Sequence, residues 1–538
     1  MLKGSKDASV PTQATPHPSS TILYTNRRSG PCRSEPRVLA FNISCALSPL
    51  FSLVWCDDGK GYVPLEQAQV FRPTLSTEAA YDRCTTIRAR LGRTDLFGSS
   101  WRISPYPLLL SSDQLQFFIA LGPHLLSFYR GLNRLYSESV KGLQPAWVAG
   151  YLDQGKPESL VQYGRMKRFR DEVPAVIRPD IIPTQDGMVI TELDSVPGGI
   201  GLTACLSQIY HDLDDGHSHI VGGRNGMVRG FARMLRSYQV PRAGCVAILV
   251  SEESKDYRPE MSWLAERLRE EGLSAWCVEP REVRFTEEGL RIEVDGREQP
   301  VDVVYRFYEL FDLLNIPKAE LVQYAAKKGW VSVTPPYKPA LEEKSAFALF
   351  HHPLLRPFWE KELGAESMLL LSGVIPKTWL LDPAPLPAIA TIPDLQLSHR
   401  AVASWADLEK ATQKERRFVI KPSGFSELAW GSRGVSVGHD LPQAEWVDAL
   451  RNALVSFPTA PYILQAFHKG RLFDMDFLDE GQAAVIRMSG RARLSPYYFV
   501  SEGAIELAGI LATICPADKK VLHGMKDAIL APCAVQSG

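Results

Sequence analysis

Thr191-Glu-Leu-Asp-Ser-Val-Pro-Gly-Gly-Ile-Gly201 brings two carboxylates and three glycines together in one short stretch. The run just before it, 188–193, is apolar and extended in pattern, so Glu192 and Asp194 stand two apart at a strand end. Period-two geometry puts both on one face. Gly198, Gly199 and Gly201 tolerate positive φ and let a ligand approach the backbone, with Ser195, Gly198 and Gly199 placed to touch a substrate. Hard oxygen ligands at the mouth of a sheet suit Mg²⁺, which keeps several waters and shares its shell with nucleotide phosphates.

Working outward from that stretch, 175–194 reads as a hairpin turning at Gln185-Asp186-Gly187. Ahead of it, Phe117, Leu121, Leu125, Phe128, Leu132 and Leu135 recur at helical spacing and predict a long amphipathic helix over 115–136. Behind it, Cys245-Val-Ala-Ile-Leu-Val250 predicts a buried strand, followed by a helix over 261–271 and a strand over 274–278. A hairpin at Asp295-Gly296 and a strand over 302–306 complete a βαβ unit. Helices are expected over 318–328 and 344–351, and strands over 418–421, 435–437, 462–467 and 483–488. No fixed-period repeat occurs, which excludes a solenoid. The expected class is α/β with α+β elements.

Two lysines supply the complement of the carboxylate pair. Phe418-Val-Ile-Lys-Pro422 is a short buried strand that delivers Lys421 to a flexible segment, Ser423-Gly-Phe-Ser-Glu-Leu-Ala-Trp-Gly-Ser-Arg-Gly-Val435. Ser423, Gly424, Gly431, Ser432 and Gly434 can offer N–H groups and hydroxyls to phosphate oxygens. The segment is neither a Walker A loop nor G-x-G-x-x-G. Lys344 opens a helix after Pro335-Pro-Tyr-Lys-Pro-Ala-Leu-Glu-Glu. Further on, Arg487, Arg491 and Arg493 fall on one side of a regular strand and could clamp a carboxylate or phosphate.

Composition limits the alternatives. Sixty Lys plus Arg against 61 Asp plus Glu leave a charge of -1 in 538 residues, too little field for a dedicated nucleic-acid binder. Nine cysteines contain no C-x-x-C pair and no zinc-ligand spacing, which disfavours a disulfide scaffold and favours a reducing, cytoplasmic setting. Cys515 has no base tied to it and reads as a packed cysteine. Residues 1–60 are expected to be a disordered extension. The apolar stretch 38–55 is interrupted by Asn42, Ser44, Ser48 and Pro49 and barely reaches spanning length, so no membrane is expected.

In order and kind these motifs resemble an ATP-grasp ligase of the permuted branch that includes eukaryotic-type glutathione synthetases and, more distantly, glutathionylspermidine synthetases. Arg178-Pro-Asp180, Glu192-Leu-Asp194-Ser195 and Pro197-Gly-Gly199 are similar to the family's Arg-Ser-Asp, Glu-Ile-Asn and Ser/Gly turn. Lys344 resembles its first nucleotide lysine, 418–434 its Val-x-Lys-Pro strand and phosphate-covering loop, and Arg487 the arginine of its C-terminal Leu-Leu-Arg strand. Asp194 stands where the family has Asn, Ala466 replaces the hinge Glu after Ile-Leu-Gln465, and the loop lacks a Gly-Gly-Gly run.

The resemblance implies an ATP-grasp-like fold in permuted order: 61–242 carries the metal motif, 243–330 is a Rossmann-like substrate domain inserted after it, and 331–538 holds the nucleotide and the glycine-rich lid. It implies an ADP-forming ligase joining a small-molecule carboxylate to an amine, or a thiol, through an acylphosphate. Glu192 and Asp194 would hold Mg²⁺, with Glu342, Glu343, Asp474 and Asp476 as candidates for a third carboxylate. Lys344, Lys421, Gln465 and the loop would bind ATP. Arg178, Arg487 and Arg491 would hold the carboxylate and its developing oxyanion. A non-catalytic Mg-ATP-binding module and a small-molecule kinase are the alternatives, and a homodimer is left open.

Overall fold

The computed structural model describes residues 75–92, 101–214, 216–239, 244–387, 389–429, 431, 433–519, 521–522 and 527–536. The expected extension 1–60 and the apolar stretch 38–55 lie outside them. Three sheets do most of the organising. The largest runs Leu108–Leu110, Ile529–Gln536, Ala504–Pro516, Ala484–Ser501, Val176–Pro183, Met188–Asp194, with Leu472–Asp479 paired to Ala484–Ser501 and Ser218–Ile220 to Ile529–Gln536. Strands from the first half of the chain are thus hydrogen-bonded to strands from its last 70 or so residues, so the expected segments 61–242 and 331–538 share one sheet.

A long helix, Ser112–Val140, lies on that sheet. Its start is fixed by Ser111, whose hydroxyl accepts from Gln114 N while the Gln114 side chain accepts from Ser111 N, a reciprocal cap that satisfies two otherwise orphan donors. The periodic residues Leu121, Leu125, Phe128, Leu132 and Leu135 are fully buried. Gly122 lets the helix approach: a Cβ there would sit 2.9 Å from the Tyr498 ring. The helices Ile200–Asp212 and Gly226–Arg236 pack onto the same sheet.

The second sheet has a parallel core ordered Ala275–Val278, Cys245–Val250, Arg297–Phe307, Ser332–Thr334. Val246, Ala247, Ile248, Leu249 and Val250 are all out of solvent, as the unbroken apolar run requires of a strand covered on both faces. The expected hairpin at Asp295-Gly296 joins Gly289–Val294 to Arg297–Phe307, both turn residues at positive φ. The third sheet is antiparallel, ordered Thr378–Leu380, Tyr462–Ala466, Phe418–Pro422, Ser436–Val437, and is backed by the helix Gln443–Val455 through Trp446 and Leu450. Among the described residues no helix is long and apolar enough to cross a membrane, and Cys515 is buried as a packed residue.

Candidate active site

The three sheets meet around a cavity of about 600 Å³. Met188–Asp194 sends Glu192 and Asp194 into it from an edge of the large sheet, and Val176–Pro183 adds Arg178 and Asp180. The parallel sheet contributes Tyr308 and Glu309, just past the carboxyl end of Arg297–Phe307, and the third sheet contributes Lys421 and Gln465. Ligand sites in parallel α/β sheets lie beyond the carboxyl ends of their strands. Lys344, after the short turn Pro339–Leu341, and Gly424 and Gly431 of the loop complete the wall.

The charges alternate in sign. Lys344 Nζ lies 3.4 Å from Glu192 Oε2 and donates to the Ala429 carbonyl at 2.8 Å, while Lys421 Nζ donates to the Thr191 carbonyl at 2.8 Å. Burial opposes ionisation of Glu192, but Lys344, Lys421, Arg178 and Arg493 together bring its pKa down to about 2. Lys421 is brought down to about 8 by burial and by the neighbouring Lys344, against the pull of Glu192. Arg178 bridges Asp194 at 3.0 Å and Asp180 at 3.2 Å. Asp180 also takes Arg493 at 3.1 Å and the Ser495 hydroxyl at 2.9 Å.

The Gly-Gly turn is held in a left-handed form. Gly199 has φ 88, and a Cβ there would collide with the Tyr497 hydroxyl, which donates to the Gly198 carbonyl at 2.8 Å. The helix that follows, Ile200–Asp212, already has a carboxyl group at its N-terminus: Gly201 N donates to Glu260 Oε1 at 2.7 Å. Across the cavity the loop root is equally fixed. Lys344 N donates to the Ser423 carbonyl at 3.1 Å, Ser345 N to the Ser423 hydroxyl at 2.9 Å, and that hydroxyl donates to Glu343. Gly424 passes against the Glu342 carbonyl, where a Cβ would not fit.

Arg178, Glu192, Asp194, Ser195, Gly198, Gly199, Lys344, Lys421, Gly424, Gly431 and Gln465 therefore line one cavity. Ser423 and Gly434 lie behind it, the first in the buried Glu343 network and the second packed on Pro422 and the Leu428 carbonyl. Ser432 lies outside the described residues. The expected arginine row is not gathered at the site. At about 3.4 Å per residue, 487 and 493 are about 20 Å apart along their strand. Arg487 pairs with Asp476 in solvent and Arg491 bonds the Gly470 and Ala517 carbonyls, both away from the lining, so Arg493 is the arginine of this strand that reaches the cavity.

Glu260, Glu309 and Tyr497 carried no motif in the sequence. Glu309 follows a buried strand whose carboxyl end faces the cavity, a position that could have singled it out. Its pKa is pushed up to about 8 by burial and by the charges of Glu342 and Asp194.

The donor set fits Mg²⁺ shared with a nucleotide. Glu192 and Asp194 open onto the cavity side by side, and burial and the repulsion of Glu192, which a cation relieves, raise the pKa of Asp194 against the pull of Arg178. Among the described residues no three acidic, His or Cys side chains gather as a metal site. Glu342 is paired with Arg306, Glu343 with Lys156, and Asp476 with Arg487, while Asp474 is exposed on the far strand. Phosphate oxygens and water would complete the shell, which is the habit of Mg²⁺. Pro376, Val419, Val437 and Phe467 form an apolar end suited to a base.

No family model and no curated protein matches the sequence. A glutathione synthetase-like effector from Globodera pallida, in its apo form, matches 86% of this chain and 98% of its own, with a TM-score of 0.52 at 12% identity. A protein of Methylobacillus flagellatus KT, named as a candidate gamma-glutamylcysteine synthetase, matches 74% of this chain and 85% of its own, with a TM-score of 0.36 at 13% identity. The first likeness shows the fold: a mixed α/β architecture of the glutathione synthetase-like kind.

Proposed function

We propose that this chain is an ADP-forming ligase that joins a small-molecule carboxylate to an amine, on an ATP-grasp-like fold in permuted order. One observation carries the reading: Glu192 and Asp194 face Lys344 and Lys421 in one cavity, although about 150 to 230 residues separate the two sets. Bound ATP with Mg²⁺ would supply the γ-phosphoryl group that converts the substrate carboxylate to an acylphosphate, leaving ADP, and the amine would then attack the acyl carbon and displace phosphate.

The residues divide the work. Glu192 and Asp194 would hold the cation through their carboxylate oxygens. Lys344 and Lys421 would neutralise phosphate charge and move off the carbonyls they now bond. Arg178 and Arg493, both anchored on Asp180, would hold the substrate carboxylate and its developing oxyanion. The loop from Gly424 to Gly434 would cover the phosphates and exclude water, which would otherwise hydrolyse the acylphosphate. No protein nucleophile is required.

Amine-dependent ADP release across carboxylate and amine pairs tests the reading. Glu192→Ala and Lys421→Ala are each expected to reduce it by about 100-fold or more, the scale of losing one preorganised charge contact in a dry site. Release left unchanged by both substitutions overturns the assignment. Ala466 at the hinge favours one second reading, a Mg-ATP-binding module without turnover; it would show nucleotide binding and no ADP with any pair. ADP formation that needs no amine would instead identify a small-molecule kinase.

A further inference from the structure

Past the hinge a second cavity of about 590 Å³ opens, sharing Ile182, Phe467, His468 and Leu522 with the first. That volume lies within the range of small-molecule sites. Among the described residues its charged wall consists of Lys414, Arg417, Lys469, Arg491 and Lys519 against one carboxylate, Asp518. The lining therefore carries an excess of four positive charges, in a chain whose total is 60 against 61; the carboxylates behind it, Asp186 and Asp440, face His468 and His439. Asp518 is engaged at 3.9 Å by Lys519, with both side chains largely in solvent.

The contrast with the main cavity is chemical. There Arg178 and Arg493 meet Asp180, and Lys344 meets Glu192. Here Arg491 is fixed by backbone alone: Nε donates to the Gly470 carbonyl at 3.1 Å and Nη1 to the Ala517 carbonyl. Carbonyls orient a guanidinium and leave its charge in place. Arg417 and Lys469 stand at the same end of the antiparallel pair Phe418–Pro422 and Tyr462–Ala466, one just before the first strand and the other just after the second, away from Lys421.

We propose that this second cavity binds a phosphate-bearing small molecule, held by Arg417, Lys469 and Arg491. Charge selects the class: a single carboxylate would leave most of the excess unmatched, whereas a phosphate monoester carries about 1.5 to 2 negative charges at neutral pH. The planar fork of arginine matches phosphate oxygens two at a time, and lysines add charge without a directional demand. The site is separate from the ligase reading, because none of its cations is assigned to turnover.

Inorganic pyrophosphate, titrated into the full chain by calorimetry at low salt, tests it. Arg417→Gln with Lys469→Gln alters two exposed side chains and is expected to weaken one pyrophosphate-binding event by about tenfold or more, the effect of removing two charge-assisted contacts. Lys344→Gln, in the main cavity, is expected to leave that event in place, and thermal unfolding checks that each variant is folded. Pyrophosphate binding that survives the double substitution unchanged, or that is lost only with Lys344→Gln, overturns the proposal. Citrate binding as tightly as pyrophosphate overturns the phosphate assignment.

Discussion

Lys156 Nζ reaches Glu343 Oε1 at 2.6 Å with the two side chains 0% and 2% exposed. Glu343 also accepts from Ser423, and the Ser423 carbonyl accepts from Lys344 N, so this pair ties together the segments that carry Lys344 and Lys421. Removing one member of a buried pair strands the other charge, at a cost of about 3–5 kcal/mol, whereas replacing both by apolar groups is often close to neutral. Lys156→Met is expected to lower unfolding stability in urea by about that amount, and Lys156→Met with Glu343→Leu to recover most of it. Equal losses in the two variants would show that the pair contributes through packing. At this scale the sequence was partly legible. Lys344 and Lys421 stood out through flanking prolines and glycines, but Glu343 looked like a metal ligand, since its cation is 187 residues away and leaves no local trace.

At the N-terminus of Ile200–Asp212 the ligand is a side chain of the neighbouring helix Arg258–Glu270. Glu260 accepts from Gly201 N and Leu202 N, yet burial outweighs these bonds and raises its pKa to about 7. The unfolded chain ionises this group in the ordinary carboxylate range, while the folded chain keeps the proton up to about pH 7. The folded state therefore binds more protons over that interval, and stability falls as pH rises through it. Glu172, raised to about 7 by burial, and Glu309, raised to about 8, act in the same direction. His124, His351, His352 and His468, all lowered by burial, act the other way below about pH 6.5. The thermal midpoint is therefore expected to decline between about pH 6.5 and about pH 8, and the decline to be shallower in Glu260→Gln, which keeps an acceptor and does not titrate. Calorimetric scans across that range with equal slopes in the two proteins would reject the assignment. Elements themselves were legible where a period was visible, as in Ser112–Val140 and Cys245–Val250. Where proline interrupts a buried strand the pattern is harder to read: Ala484–Ser501, with Pro496 inside it, is expected only in its first part, and Ile529–Gln536, with Pro532 inside it, is not expected.

The largest sheet sets the constraint on the molecule as a whole, since its order is not the order of the chain. Ile529–Gln536 has Leu108–Leu110 on one edge and, on the other, Ala504–Pro516 along its first half and Ser218–Ile220 along its second. A strand late in the sequence thus joins two regions made much earlier, and Ala504–Pro516, next to it, contributes Leu511 and Thr513 to the cavity wall. Ile529, Ala531, Cys533 and Ala534 are fully buried and Leu530 nearly so. Losing Ile529 and Leu530 alone forfeits about 1.5–3 kcal/mol each. The exposed edges of three strands add unpaired backbone groups to that loss, and a domain has only about 5–15 kcal/mol in total. A chain ending at Ala528 is therefore expected to lack a cooperative unfolding transition and to bind neither nucleotide nor pyrophosphate, although it retains Glu192, Asp194, Lys344 and Lys421. A truncated chain that melts cooperatively and still binds Mg-ATP would mean that the two lysine segments and the carboxylate strand hold together without the shared sheet. The order of the strands in the shared sheet would then matter to sequence alone and not to how the site is built.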